Sequence, residues 1–138
     1  MIVLDTNVIS EIMRPAPSRA VLEWLRALPP AELATTTISI AEIRYGLARL
    51  DPGERRTDLE SRFSQFLVRG FGGRIFEFDL RAAEIYGDLV SERERMGKRI
   101  EGFDGLIAAI ARARGLSVAT RNVGDFEGCG IAVLSPWE

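Results

Sequence analysis

The sequence predicts an α/β fold, a central and mainly parallel sheet covered by helices, on three observations. Short apolar or β-branched runs recur along the chain, segments with apolar residues at helical spacing separate them, and proline or glycine punctuates most junctions. Strands that alternate with helices favour parallel pairing, because each return to the sheet passes through a crossover. At 138 residues, 46% of them hydrophobic, the chain has the length and apolar content of one domain with a continuous core. A single domain over 1–138 is therefore expected.

Taken in order, Ile2-Val3-Leu4 reads as a buried strand that stops at Asp5, with a helix starting near Thr6 or Asn7 and ended by Pro15 and Pro17. Val21, Trp24, Leu25 and Leu28 mark a second helix, stopped by Pro29-Pro30. Leu33 to Thr37 is the second strand. A helix from Ser39 carries Ile40, Ile43, Leu47 and Leu50 on one face and closes at Asp51-Pro52-Gly53. Leu59, Phe63, Phe66 and Leu67 mark another before Gly70, Gly72 and Gly73.

Arg74 to Phe78 alternates as a strand does, and Asp79 is placed to cap a helix from Leu80 to about Met96 that buries Ala82, Tyr86, Leu89 and Val90. Phe103, Leu106, Ile107, Ile110 and Ala113 line a further helix ended by Gly115. Ser117 to Thr120 and Ile131 to Leu134 are the last strands.

Composition narrows the chemistry. The chain has no histidine, one cysteine (Cys129) and one lysine (Lys98). Ser-His-Asp and Cys-His catalysis, histidine-based metalloprotease motifs, Cys/His zinc sites and paired-histidine ribonucleases are excluded, and no GxxxxGK precedes Lys98. Carboxylates remain as the main acids, bases or metal ligands. Net charge is 18 − 20 = −2, which argues against a protein held on nucleic acid by general basic charge. Acids gathered around a divalent ion change that balance, since the ion adds positive charge where a phosphate would sit. The N-terminus turns polar at Asp5, unlike a signal peptide, and no run of about 18 apolar residues exists, so a cytoplasmic protein with no membrane association is expected.

In open α/β sheets ligands collect beyond the carboxyl ends of strands. Asp5, Glu42, Asp104 and Asp125 are expected on that rim: Asp5 and Asp125 after strands, Glu42 and Asp104 in first turns of helices. Each also has a structural reading. Asp5 suits a helix cap, Ser39-Ile40-Ala41-Glu42 matches a capping box, Asp104 suits a helix dipole, and Asp125 suits an ordinary loop. Arg93, Arg95, Lys98 and Arg99 form the most basic stretch, either a phosphate-tracking surface or an exposed helix end. Arg44 and Arg121 lie nearer the acids and are the better substrate-contacting candidates. Trp24, Trp137 and Cys129 read as packing residues.

Four segments occur in this order: Val3-Leu4-Asp5-Thr6-Asn7-Val8-Ile9-Ser10, Ser39-Ile40-Ala41-Glu42-Ile43-Arg44-Tyr45-Gly46, Asp104-Gly105-Leu106-Ile107-Ala108-Ala109 and Thr120-Arg121-Asn122-Val123-Gly124-Asp125-Phe126. Together they resemble the PIN domain of VapC-type toxins, the FitB-like subset most closely, over essentially the whole chain. The resemblance implies a PIN-like three-layer sandwich, a homodimer, with a dimer of dimers in the antitoxin complex left open, and an endoribonuclease restrained by a small VapB-type antitoxin. Asp5, Glu42 and Asp104 match the acidic metal-site positions, and Thr6 and Thr120 match hydroxyl positions beside them. Many relatives carry an acid where Asn122 stands. Others have asparagine there and an acid at the position of Asp125, so one or two ions are both compatible.

Magnesium or manganese suits such a set, because hard divalent ions take oxygen ligands and keep several waters beside one or two carboxylates. On this expectation Asp5 and Asp104 bind the metal, while Glu42 and Asp125 or Asn122 orient waters or a second ion, and Thr6 and Thr120 hydrogen-bond the ligands. Two other readings compete: a non-catalytic PIN-like binding module and a DNA-directed nuclease. A phosphotransfer enzyme with Asp5 as nucleophile would want an aspartate in place of Asn7 and a usable lysine.

Overall fold

The computed structural model describes residues 1–138. Its strands are β1 (Ile2–Leu4), β2 (Leu33–Thr36), β3 (Ile75–Phe76), β4 (Ser117–Ala119) and β5 (Val133–Leu134), in the spatial order β3-β2-β1-β4-β5. All four pairings are parallel, so the sheet is wholly and not just mainly parallel. Seven helices cover it: α1 (Thr6–Ile12), α2 (Arg19–Arg26), α3 (Thr37–Ala48), α4 (Glu54–Phe66), α5 (Leu80–Arg95), α6 (Gly102–Arg114) and α7 (Val123–Phe126).

Side chains alternate across a strand, and β1 divides the core accordingly. Leu4 faces Val8, Ile9, Val21, Ile43 and Phe63 from the α1 to α4 layer. Val3 faces Leu89, Ile107, Ala108 and Phe126 from the α5 to α7 layer. Helices on both faces make the expected three-layer sandwich. Cys129 is buried in the second cluster, and Trp24 and Trp137 pack against the first.

The chain builds outward from β1 to β2 and β3, then returns to the other side of β1 for β4 and β5. The crossovers on either side of β1 therefore diverge, leaving a crevice at the carboxyl ends of β1 and β4. Leu4 pairs with Ala119, and the Asp5 amide donates to the Ala119 carbonyl at 2.9 Å, so Asp5 and Thr120 leave the sheet side by side.

Three expectations need correction. The third helix starts at Thr37, not Ser39, because Thr36 is the cap: its hydroxyl accepts the Ser39 amide at 3.2 Å. Ser39 is inside the helix, the capping-box reading of Glu42 lapses, and Glu42 lies in the second turn. The strand expected over 74–78 shrinks to two residues, since Phe78 packs against the α5–α6 cluster and Asp79 already caps α5 through the Ala82 amide at 3.0 Å. Phe103, read as part of the buried face of α6, is 48% exposed in that helix's first turn, ahead of the buried Ile107–Ala111 run.

Candidate functional site

Asp5 ends β1 in an extended conformation and caps α1, its Oδ1 accepting the Thr6 amide at 2.8 Å. The capping reading holds, but it occupies only one oxygen. Oδ2 accepts the Thr120 hydroxyl at 2.9 Å and the Asn7 amide at 3.3 Å. Asn7 also donates to Thr120 Oγ1 at 3.2 Å and accepts the Arg121 amide at 3.1 Å, while Thr120 Oγ1 accepts the Asn122 amide at 3.0 Å. A carboxylate offers about four acceptor directions. This frame fixes the Asp5 rotamer and leaves acceptor capacity on a buried group.

Glu42, on α3, receives the Thr6 hydroxyl on Oε1 at 2.9 Å, which ties it to the residue next to Asp5. Asp104 projects from the first turn of α6, where Glu101 serves as the cap for the Phe103 and Asp104 amides. The three acids line one cleft of about 500 Å³ together with Thr6, Asn7, Ser10, Glu11, Arg14 and Asn122, and no hydrophobic residue lines it. A larger cavity of about 600 Å³, with Asp79, Arg81, Arg112 and Arg114 on its walls, opens at the other end of α6 and gathers none of these acids.

The electrostatics agree that the acids share one place. Asp104 is half-buried, and desolvation, followed by the charges of Asp5, Glu101, Asp125 and Glu42, raises its carboxyl to about 7. The dipole at the start of α6 would favour ionisation, so burial and the neighbouring acids together outweigh it. Burial pushes Asp5 upward against the hydrogen bonds from Thr120 and Thr6, with Asp125 adding to the rise. Burial likewise raises Glu42, against the Thr6 hydrogen bond, and the charges of Asp5 and Glu101 add to it.

The donor set fits a hard divalent ion: carboxylate, hydroxyl and amide oxygens, with no sulfur or imidazole nearby. No three acidic side chains converge closely enough to chelate one ion by themselves. That spacing suits an ion that keeps part of its water shell. Asn122 lines the cleft; Asp125, exposed in the first turn of α7, acts on Asp5 and Asp104 through its charge.

The arginines are distributed differently from expectation. Arg44 donates to Ser64 Oγ at 2.9 Å and lies over the Phe63 ring at 4.9 Å, turned towards α4 and away from the acids. Arg121 lies over Trp137 at 5.2 Å. The cation that does line the cleft is Arg14, held by Glu11 Oε1 at 3.3 Å, and Glu11 is itself buried and accepts the Ser18 amide at 3.1 Å. In the basic stretch, Arg93 is buried and donates to the Gly124 and Glu127 carbonyls, and Lys98 pairs with Glu127 at 3.4 Å. Those two residues staple α5 to the α7 segment and do not form a phosphate track. Sequence reasoning missed Asn7, Glu11, Arg14 and Glu101. The first three had a signal, because positions 7, 10, 11 and 14 form a polar stripe at helical spacing opposite Val8, Ile9 and Ile12.

Residues 2–127 match the PIN-domain family. The chain is 44% identical to a protein named VapC ribonuclease Y4jK from Sinorhizobium fredii, over 100% of this chain and 99% of that one. It is 42% identical to Toxin FitB of Neisseria gonorrhoeae, over 99% of both chains. The crystal structure of FitAcB from Neisseria gonorrhoeae superposes with a TM-score of 0.94 at 42% identity, covering 100% of this chain and 99% of that chain.

Proposed function

The chain belongs to the PIN-domain family, and from that premise we propose that it is the toxin of a VapBC-type toxin–antitoxin pair, a magnesium- or manganese-dependent endoribonuclease. The observation that carries the chemistry is the cleft lined by Asp5, Glu42 and Asp104 together, where burial and then the charges of the other acids raise the Asp104 carboxyl to about 7. Close carboxylates of this kind gain most from a divalent cation.

Asp5 and Asp104 would hold the ion, with Glu42 and either Asp125 or Asn122 directing its waters or a second ion. When bound, the ion supplies positive charge for the phosphodiester and lowers the pKa of a water for hydrolysis, roles a histidine-free chain cannot fill with imidazole. The chain's own residues do the positioning. Thr120 and Asn7 clamp Asp5, Thr6 aims Glu42, and Arg14 offers a cation on the cleft wall. Asp104, whose carboxyl is raised to about 7, would bind a cation as its carboxylate and so would release its remaining proton on binding.

The FitAB and VapBC complexes among the solved relatives support a VapB-type antitoxin as the partner, and the reading extends to a homodimer that pairs into a dimer of dimers in the complex. Exposed Phe103, Tyr45, Val68 and Leu80 leave apolar surface in keeping with such contacts. No helix is long and apolar enough to cross a membrane, and the proposed place of action is the cytoplasm. The test is cleavage of a defined RNA set, with DNA of the same sequences alongside, in magnesium, manganese or chelator, for the native chain and Asp5→Ala. Metal-dependent RNA cleavage lost in the variant is expected. Cleavage retained in Asp5→Ala, or directed at DNA alone, would overturn the proposal.

A further inference from the structure

Beside the acidic cleft lies a second cavity of about 310 Å³ with a different lining. The two share Thr6, Ser10, Arg14 and Glu42, so they form one continuous groove running from the acids across the end of α1 to the start of α4. The acidic half has no hydrophobic lining. The second half is lined by Met13, Ile43, Leu47 and Leu59, and both Arg14 and Arg55 line it too.

Arg55 is otherwise unexplained. On the same helix Arg56 pairs with Glu60 at 3.5 Å and Arg62 with Asp58 at 3.9 Å, whereas the exposed Arg55 makes no ion pair or hydrogen bond. It also sits in the first turn of α4, where the helix dipole disfavours a cation. Helix stability does not account for it. A mobile anion would.

We propose that this second cavity is a nucleotide subsite flanking the reacting phosphate, in which an unpaired RNA base rests on the apolar lining while Arg14 and Arg55 hold the adjoining backbone. The inference rests on the ribonuclease reading of the neighbouring cleft and names where the rest of that substrate lies. Single-stranded RNA is recognised by cations that follow its phosphates and by apolar or planar surfaces that receive its splayed bases, and a guanidinium serves as both. The second cavity supplies both elements together, whereas the acidic cleft has Arg14 but no apolar lining. Buried Glu11 keeps Arg14 on the wall without reaching across to Arg55.

The test is fluorescence anisotropy with a labelled, unstructured decaribonucleotide in magnesium, over a range of salt, on the cleavage-silenced Asp104→Asn protein with and without Arg55→Ala or Arg55→Lys. Arg55→Ala should weaken binding about tenfold and lower the slope of log affinity against log salt by about 0.7, as expected for one lost phosphate contact on a single strand. Arg55→Lys should keep the slope. Unchanged affinity and slope in Arg55→Ala would overturn the subsite and leave the groove to a protein partner. Cleavage by the native chain, measured separately, decides the ribonuclease reading. RNA bound through Arg55 but never cut would sink that reading alone, and RNA cut with Arg55 irrelevant would sink the subsite alone.

Discussion

Asp104→Asn should stabilise the metal-free protein above neutral pH while silencing it. An aspartate that keeps its proton to about 7 instead of 3.8 is disfavoured as an anion in the folded chain. Unscreened, that difference corresponds to about 4 kcal/mol. Asp104 is only half-buried, and solvent screening reduces the figure to roughly 1 to 2 kcal/mol. The sign follows from linkage. A raised folded value means stability that is fully present below the ordinary 3.8 and is lost as pH rises through about 7. Asparagine cannot ionise and loses nothing over that window.

Urea unfolding in chelator across a pH series from about 3.5 to about 8.5 would measure this difference, roughly 1 to 2 kcal/mol at the alkaline end. The two proteins should be equally stable at the acidic end, with the variant the more stable one at the alkaline end. Magnesium should close the gap by stabilising the native chain alone, because a ligand stabilises the state that binds it. A variant no more stable than the native chain at the alkaline end, in chelator, would refute the reasoning that burial and the neighbouring acids disfavour an ionised Asp104 in this cleft.

Other consequences concern the residues that hold the site. Thr120→Val removes the 2.9 Å hydrogen bond to Asp5 and should reduce metal affinity about 10- to 100-fold, read by titrating manganese into protein whose melting curve is unchanged. Glu11→Ala strips a buried acceptor from the Ser18 amide and frees Arg14, and should cost about 1 to 3 kcal/mol in denaturant unfolding. Arg93→Met should cost a similar amount, about 1 to 3 kcal/mol, by removing the donor to the Gly124 and Glu127 carbonyls, yet leave RNA cleavage per folded molecule intact. Reduced cleavage with full stability would instead restore a substrate role for that residue.

The architecture was legible because the local signals agreed. Ile2-Val3-Leu4 could only be a short buried strand, and the prolines and glycines fixed where helices end. Asp5, Glu42 and Asp104 could be grouped because parallel α/β topology sends strand ends to one rim. Boundaries were harder. Ser39 and Thr36 are both good caps, and only the pairing of β2 with its neighbours decides that the chain turns at Thr36. Arginine roles were least legible, since exposed guanidiniums find partners far away in sequence: Arg44 is taken by Ser64 and Phe63, and Arg93 by carbonyls past residue 123. Arg14 escaped notice because its anchor, Glu11, is buried only once the turn before α2 folds over it.

Acids at the end of β1, on α3 and on α6 should act together to hold a divalent ion. Titration calorimetry of manganese into the metal-free protein at neutral pH, repeated in buffers of different ionisation enthalpy, addresses it most directly. Saturable binding with proton release is expected, lost in both Asp5→Ala and Asp104→Ala proteins that remain folded. Binding of equal strength in those two variants, or none in the native chain, would contradict it.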